Sequence, residues 1–338
     1  MVTIKDVARA ARVSVATVSR VHNGSPNVTD STRRRVRAVA TKLGYSPNAA
    51  ARSLSTRKTL GLGVLLPDLY GEFYSELIRG IDQTAQQRGF HILVASSHNA
   101  KQEIAAAIQS LRGRVDGLIV MAPAPGAHRP VRDLPASVPV VLLNCPAPVA
   151  GYDSIAVANA DGARDVVRHL AGLGHRRIAI IHGPPRNHDA AERARGYREA
   201  LAEAGITPGP ADEVAGDFTD GSGYRAALGL ARAAPRPTAV FAANDAMAIG
   251  AVSAFREAGM RIPEDVAVAG FDDIPMARYM HPPLTTVRVD ISDLGARATA
   301  RLLDLVANGK QRQKRRELLP AVLVVRESCG GHGRTAAP

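Results

Sequence analysis

From residue 60 onward, short apolar runs alternate with longer stretches whose apolar positions recur every three or four residues. The runs read as buried strands and the stretches as amphipathic helices, the βα rhythm of a parallel sheet. Strands are predicted over residues 61–66, 90–95, 117–121 and 138–143, with a second set over 177–181, 238–242 and 266–270. Helices fall between them, for example over 73–88, 161–173 and 245–258. Each of these closes on a glycine (Gly89, Gly174, Gly259) where a C′ residue belongs. Two consecutive sets of this kind predict two doubly wound lobes, with a ligand crevice beyond the carboxyl ends of their strands.

The first 46 residues follow a different rhythm. Thr3-Ile4-Lys5-Asp6 has the form of a capping box and opens a short helix that packs Ile4, Val7 and Ala8 inward. After a turn at Ala11-Arg12-Val13, Ser14 is placed to cap a second helix over 15–23, with Val18 and Val21 facing the core. Val15, Ala16, Thr17, Ser19 and Arg20 are then left for another face. A third helix starts at Thr29, sets Val36, Val39, Ala40 and Leu43 in one stripe, and stops at Gly44. Three short helices, the second beginning in small residues, make a DNA-reading module, because small side chains let a helix N-terminus approach base edges and phosphates. Beyond it, Ser46 as N-cap and Pro47 at N1 start a helix of barely two turns, too short to be stable without a partner.

Charge sharpens this division. The formal net charge is +12, and residues 1–60 carry twelve Lys or Arg against Asp6 and Asp30, which leaves only +2 for the remaining 278 residues. A polyanion-binding head on a nearly neutral body is the simplest account. A second basic run at 310–316 has no interleaved aromatic residue and reads as a solvated loop. Apolar residues make up 46% of the chain, enough for packed cores, and no apolar run reaches the length of a membrane helix. Cys145 and Cys329 are the only cysteines, which excludes a disulfide framework and a zinc site of several thiolates. The start lacks the apolar core of an export signal, so a cytoplasmic location is expected.

Two segments then make the reading specific. Val-Ser-Val-Ala-Thr-Val-Ser-Arg at 13–20, followed by Tyr-Ser-Pro-Asn-Ala-Ala-Ala-Arg-Ser-Leu at 45–54, resembles the lactose/galactose repressor family of bacterial transcription regulators. The resemblance implies that Val15, Ala16 and Arg20 face bases in the major groove, Arg20 as a fork for guanine and the apolar pair against thymine methyls. It implies phosphate or neighbouring-base contacts for Ser14, Thr17, Ser19, Asn23 and Asn27. Leu54 matches a leucine pushed into the minor groove at the operator centre, with Ala51 packed nearby. Arg12 departs from the pattern, since relatives often carry glycine in that turn, and it adds local strain.

The body supplies its own candidates. Asn144, Asn244 and Asp272 each follow a predicted strand, and Arg193 lies on the helix after Gly183-Pro184. A fixed carboxylate accepts from adjacent hydroxyls, an arginine donates a fork and amides do both, the mixture a desolvated polyol requires. The resemblance extends over roughly 61–328 through Phe73-Tyr74, Arg193-x-x-Gly196, Gly216-Asp217-Phe218, Ala243-Asn244-Asp245 and Gly270-Phe271-Asp272. It implies that Phe218 stacks on a ring face and that Phe73 closes the other side of an effector pocket. Asp245 reads as a helix cap. His169, His182 and His188 show neither metal spacing nor a nucleophile partner and read as ordinary histidines.

The expected architecture is an α/β two-lobed, periplasmic-binding-protein-like body with a small all-α helix-turn-helix domain at the N-terminus. Domains are expected at 1–46 (DNA-binding), 47–59 (hinge helix and linker) and 60–338 (effector binding and dimerisation). In the last, 60–160 with 292–317 form one lobe and 161–291 with 318–330 the other. The sequence contains no G-x-G-x-x-G after a strand, no P-loop, no G-x-S-x-G and no H-E-x-x-H, so neither an enzyme nor a cofactor or metal is expected. The expected partners are a palindromic operator duplex, a second copy of the chain and a small effector, a sugar or, as the alternative, a nucleobase. A sugar-binding transport protein would share the body but not the basic head. The final residues carry no leucine heptad, so a C-terminal coiled-coil tetramer is not expected.

Overall fold

A computed structural model of the protein describes residues 2–22, 25–45, 58–98, 100–134, 138–146, 149, 151–309 and 315–331. The chain divides into two compact units, Met1–Thr59 and Leu60–Pro338.

In the first unit three helices follow one another: α1 (Ile4–Ala10), α2 (Val15–His22) and α3 (Asp30–Lys42). Asp6 closes the first turn of α1 by accepting from the Thr3 amide at 2.9 Å and the Thr3 hydroxyl at 2.7 Å. The chain leaves α1 through Arg12 at φ +53°, a left-handed residue, while Val13 N–H bonds back to the Ala8 carbonyl at 3.0 Å. Ser14 Oγ accepts from the Thr17 amide at 3.1 Å and caps α2, and Thr29 does the same for α3 through Thr32 at 3.4 Å. Val7, Ala8, Ala11, Val18, Val21, Val36 and Ala40 form the core that the three periodicities predict. Leu43 does not join it and stays 36% exposed, because it is the residue at which α3 ends.

The second unit holds two parallel sheets. The first lobe runs β1 (Gly61–Leu66), α4 (Glu72–Gln87), β2 (His91–Ser96), α5 (Lys101–Leu111), β3 (Gly117–Met121), β4 (Val140–Leu143) and β5 (Asp153–Val157). With β11 (Arg316–Leu319) these strands make one six-stranded sheet in the order β11-β5-β4-β3-β1-β2. β1, β3 and β4 are buried along their whole length, as strands covered on both faces must be.

The second lobe runs α6 (Asn159–Gly172), β6 (Ile178–Ile181), α7 (His188–Glu203), β7 (Glu213–Val214), α8 (Asp220–Ala231), β8 (Ala239–Ala242), α9 (Asp245–Glu257) and β9 (Ala267–Ala269). Its sheet has the order β7-β6-β8-β9, all parallel. β10 (Thr286–Arg288) pairs antiparallel with β12 (Val322–Val324). Between them α10 (Ile291–Asn308) returns to pack on α4 and beneath β3 and β4. Among the described residues the chain thus passes between the lobes three times: after β5, after β10 and after β11.

The predicted strands all form, with ends shifted by up to two residues. β5, β7, β10, β11 and β12 were not predicted. They are two to five residues long, and β5 and β11 open on polar side chains that break the apolar run. Arg316 of the basic 310–316 run opens β11, and residues 310–314 lie outside the described residues. No helix among the described residues is long and apolar enough to cross a membrane.

Candidate functional site

In the head unit, burying Val18 and Val21 turns the opposite side of α2 outward. Val15 is 40% exposed, Ala16 and Arg20 are exposed beside it, and Thr17 and Ser19 are half-buried. The Ser14 and Thr17 hydroxyls are bonded to each other at 2.9 Å, which fixes both at the start of α2. Arg20 makes no side-chain hydrogen bond or ion pair with any described residue, so its guanidinium keeps its full donor set. Arg33, by contrast, is spent on structure, donating to the carbonyls of Ser25 at 3.1 Å and Val28 at 3.3 Å. Asn27 is exposed in the turn between α2 and α3. Asn23, Ala51 and Leu54 lie outside the described residues.

In the body a cleft of about 700 Å³, counted to its open mouth, lies between the lobes. Tyr70, Phe73, Tyr74, Met121 and Pro123 line it from the first lobe, and Asn187, Asp189, Arg193, Phe218, Asn244 and Asp272 from the second.

Arg193 is its centre. The side chain is only 5% exposed. Its Nε donates to Asn159 Oδ1 at 2.8 Å and its Nη1 to the Ala243 carbonyl at 2.6 Å. The guanidinium carbon sits 3.8 Å from the centre of the Phe271 ring and 5.7 Å from that of Phe218. Nη2 lies 3.0 Å from Asp272 Oδ1. That last contact is a charge pair and not an aligned hydrogen bond, and no other donor among the described residues reaches this oxygen. Burial pushes the Asp272 carboxyl up to about 6, with Arg193 opposing the rise.

Asp189 stands one turn before Arg193 on α7 and is also buried. Its carboxylate accepts from Asn144 Nδ2 at 2.8 Å and Asn159 Nδ2 at 3.0 Å. Burial raises it to about 6 despite Arg193 and the Asn144 bond, and the Asp272 charge adds to the rise.

Local backbone explains how the remaining groups reach the wall. Phe218 adopts φ +72°, unusual for an aromatic residue, and its ring lies across Gly183, where any Cβ would collide with it. Asn244 holds that loop, donating from Nδ2 to the Phe218 carbonyl at 3.0 Å while its Oδ1 caps α9 by accepting from Met247 N–H at 3.0 Å. Asn244 is therefore both cap and wall, with one amide hydrogen left over. Phe73 meets Tyr74 edge-on, with ring centres 5.4 Å apart.

Two expectations are corrected. Asn144 is not brought to the cleft wall: it is 2% exposed and stands behind Asp189, to which its amide is committed. Asp245 does not cap α9, because Asn244 takes that place. Asp245 is buried instead, accepting from Thr286 Oγ1 at 2.5 Å and the Ile274 amide at 2.9 Å, and so secures the segment that carries Asp272. Asp189, Asn159 and Asn187 were not singled out from the sequence, and Tyr74 entered only as part of the Phe73-Tyr74 motif, without a role of its own. Only Asp189 left a usable sign there, four residues before Arg193 on one helix. The three histidines are dispersed: His182 bonds Glu213 at 3.0 Å, His169 lies 3.3 Å from Cys329 Sγ, and His188 starts α7.

Residues 3–48 match the family described as bacterial regulatory proteins, lacI family, and residues 167–329 match the periplasmic binding protein-like domain. The ribose operon repressor of Escherichia coli (strain K12) is 36% identical over 328 residues, covering 96% of this chain and 98% of the repressor. The chain belongs to the lacI family. Catabolite control protein A of Priestia megaterium is another relative of this lacI-family chain, 38% identical over 300 residues, 87% of this chain and 90% of that protein. The crystal structure of the lac repressor dimer bound to operator and the anti-inducer ONPF is similar, with a TM-score of 0.86 at 33% identity over 97% of this chain and 99% of that one. As a lacI-family member the protein is a DNA-binding transcriptional regulator under the control of a small effector.

Proposed function

We propose that the protein acts as a homodimeric repressor whose two heads read half-sites of a palindromic operator, and that a sugar or sugar-like polyol in the cleft sets their affinity. In this reading Val15, Ala16 and Arg20 face base edges. Ser14, Thr17, Ser19, Asn23 and Asn27 hold phosphates or neighbouring bases, and Leu54 with Ala51 enters the central minor groove. Its work is binding and not catalysis, and it takes place in the cytoplasm, where the operator is.

The effector reading rests above all on Asp272, a buried carboxylate that lines the cleft and is paired through Oδ1 with Arg193. A hydroxyl donates to that carboxylate, and a neighbouring hydroxyl bonds Arg193 or the spare amide hydrogen of Asn244. Phe73 and Phe218 offer apolar faces to a ring. The ribose repressor among its relatives fits the same chemistry. Ligand closure of the lobes then biases the dimer between DNA-competent and DNA-released forms, by no more than the ligand's differential affinity for the two.

A thermal-shift screen of monosaccharides, disaccharides and purines tests this, followed by operator binding at fixed salt, since such affinities fall steeply with ionic strength. A sugar that both stabilises the protein and changes operator affinity is the expected outcome. A purine that does so in place of every sugar would replace the polyol with a nucleobase.

A further inference from the structure

Asp272 is followed by a second aspartate whose side chain serves a different place. Both residues have left-handed backbone, Asp272 at φ +111° and Asp273 at φ +54°. Two consecutive side-chain-bearing residues in that region are costly and persist only where their surroundings over-determine them. The turn they make sends the two carboxylates apart. Asp272 lines the effector cleft, whereas Asp273 lines a separate groove of about 850 Å³ together with Arg288 and Asp290.

The surroundings of Asp273 are the segments that join the lobes. Its carboxylate is only 3% exposed and lies between two guanidinium groups, accepting from Arg288 Nε at 2.6 Å and from Arg326 Nη2 at 2.6 Å. Arg288 ends β10, and the chain then passes through Val289 and Asp290 into α10 of the first lobe. Arg326 stands two residues after β12, which the chain reaches on its return from β11. Arg326 is itself fixed, its Nη1 donating to the Leu284 carbonyl at 2.7 Å and its backbone N–H to Thr285 Oγ1 at 2.8 Å. Asp272 is joined to β10 through its backbone. Its N–H donates to the Val287 carbonyl at 2.8 Å, and its carbonyl accepts from Val289 N–H at 3.2 Å. One dipeptide therefore carries both a cleft-lining carboxylate and a clamp on two of the three lobe crossings.

We infer that Asp273 is a positioning residue that relays effector binding at Asp272 to the movement of the lobes. A loop held by backbone alone could shift with the ligand and leave the crossings where they were. The two charge-assisted bonds make the loop and both crossings move together, since breaking them would leave a buried carboxylate without partners. Without that link the ligand still fills the cleft but no longer sets operator affinity. The inference rests on the polyol reading of the cleft.

Operator binding by the full chain at fixed salt, with and without sugar, tests it. The duplex is the one that the parent protein selects from a random pool, and the sugars are D-ribose, D-glucose, D-galactose and sucrose. The quantity read is the ratio of operator affinities with and without the sugar that acts on the parent, alongside sugar affinity from calorimetry. In Asp273→Asn that ratio should fall to within about twofold of one, while sugar affinity off DNA changes by less than about threefold. Arg288→Gln removes one of the two bonds and should give an intermediate ratio; its half-exposed side chain makes it the variant that decides where Asp273→Asn does not fold. Tyr197→Phe removes a buried hydrogen bond to the Ile178 carbonyl, at 2.7 Å in the core of the second lobe, and should keep the parent ratio despite a lower melting temperature. A ratio unchanged in Asp273→Asn, or lost equally in Tyr197→Phe, overturns the relay and leaves the cleft reading standing. Sugar binding lost in step with the ratio does the same, since Asp273 would then support the cleft itself. A panel in which no sugar binds the parent and shifts its operator affinity overturns both.

Discussion

Asn144, just past β4 in the first lobe, donates its amide across the cleft floor to Asp189 on α7 of the second, at 2.8 Å. Its backbone reaches that position at φ +50°, in the left-handed region that asparagine tolerates better than most residues. Two further polar contacts join the lobes, His188 N–H to the Pro123 carbonyl at 2.9 Å and Met276 N–H to Glu72 at 3.0 Å. Asn144 is thus a positioning residue acting through Asp189. Asn144→Ala should weaken cleft-ligand binding about ten- to a hundredfold, the worth of one hydrogen bond to a charged group. Asn144→Asp should weaken it further, by setting a second carboxylate against the first. Equal ligand affinity in all three proteins, measured by calorimetry, would remove Asn144 from the closure of the cleft.

The Arg193–Asp272 pair makes a sharper prediction because both partners are buried. Asp272→Ala leaves the guanidinium without its counter-charge and should cost about 3–5 kcal/mol of body stability, whereas Asp272→Asn keeps the shape and should cost less. Both variants should lose the effector response. Denaturant unfolding gives the first quantity, and operator binding with and without ligand gives the second. A melt of Asp272→Ala that matched the parent would mean that the pair contributes no stability.

How far this site could be read in advance follows from which forces act locally. Asn244 and Asp272 sit just past strand ends, where crevices lie for reasons of sheet topology, so chain position pointed to them, whereas Arg193, inside α7, stood out through the family motif Arg193-x-x-Gly196. Asn144 obeyed the same rule and still missed the wall, because the opposite lobe presents Asp189 to it. That pairing spans 45 residues, and no pattern within either segment contains it. Asp245 was misread for a related reason: capping depends on a one-residue register that Asn244 wins by extended dihedrals (φ −152°, ψ 168°). In the head, periodicity found the core and capping residues the helix starts, since three short helices with local contacts leave little to long-range pairing.

Acid should act on the cleft before it acts on the fold. Asp189 and Asp272 both stand at about 6, above the ordinary 3.8, chiefly because burial disfavours their charge. Around them are Arg193, Asn144, Asn159, each other, and the Tyr74 phenol. Between about pH 4 and pH 6 the folded chain therefore binds more protons than the unfolded one, so these two groups lend stability at low pH that is lost as pH rises to 6. Ligand hydroxyls prefer the ionised carboxylates, so sugar affinity should be full above pH 6 and fall below it, with protons released on binding near pH 6. Calorimetry in two buffers of different ionisation enthalpy measures that release. Asp189→Asn should reduce it, and a parent protein that released none would contradict the ionised-acceptor arrangement.

Arg20 should carry sequence discrimination and little of the general attraction to DNA. Its side chain has no described partner, and it shares an exposed face with Val15 and Ala16. Arg20→Ala should cost about 1–3 kcal/mol on the operator while barely changing affinity for random duplex at the same salt. Competition binding with both duplexes separates the two quantities. An equal loss on both would make Arg20 a phosphate contact and shift base reading to Val15 and Ala16.

Arg12 offers the converse test, a residue whose backbone costs stability in the head. At φ +53° its Cβ is strained against its own carbonyl, and the position ends α1 as a glycine would. Arg12→Gly relieves about 1 kcal/mol of that strain and gives back part of it as extra entropy in the unfolded chain. The net effect should be a gain of about 0.5 kcal/mol in the stability of the head. The substitution also removes a positive charge, so operator affinity reports separately on whether Arg12 touches the duplex. A phosphate contact predicts weaker binding on every sequence and a salt slope shallower by about one. A variant that is less stable than the parent would show that Arg12 holds its turn by side-chain packing strong enough to outweigh the left-handed backbone.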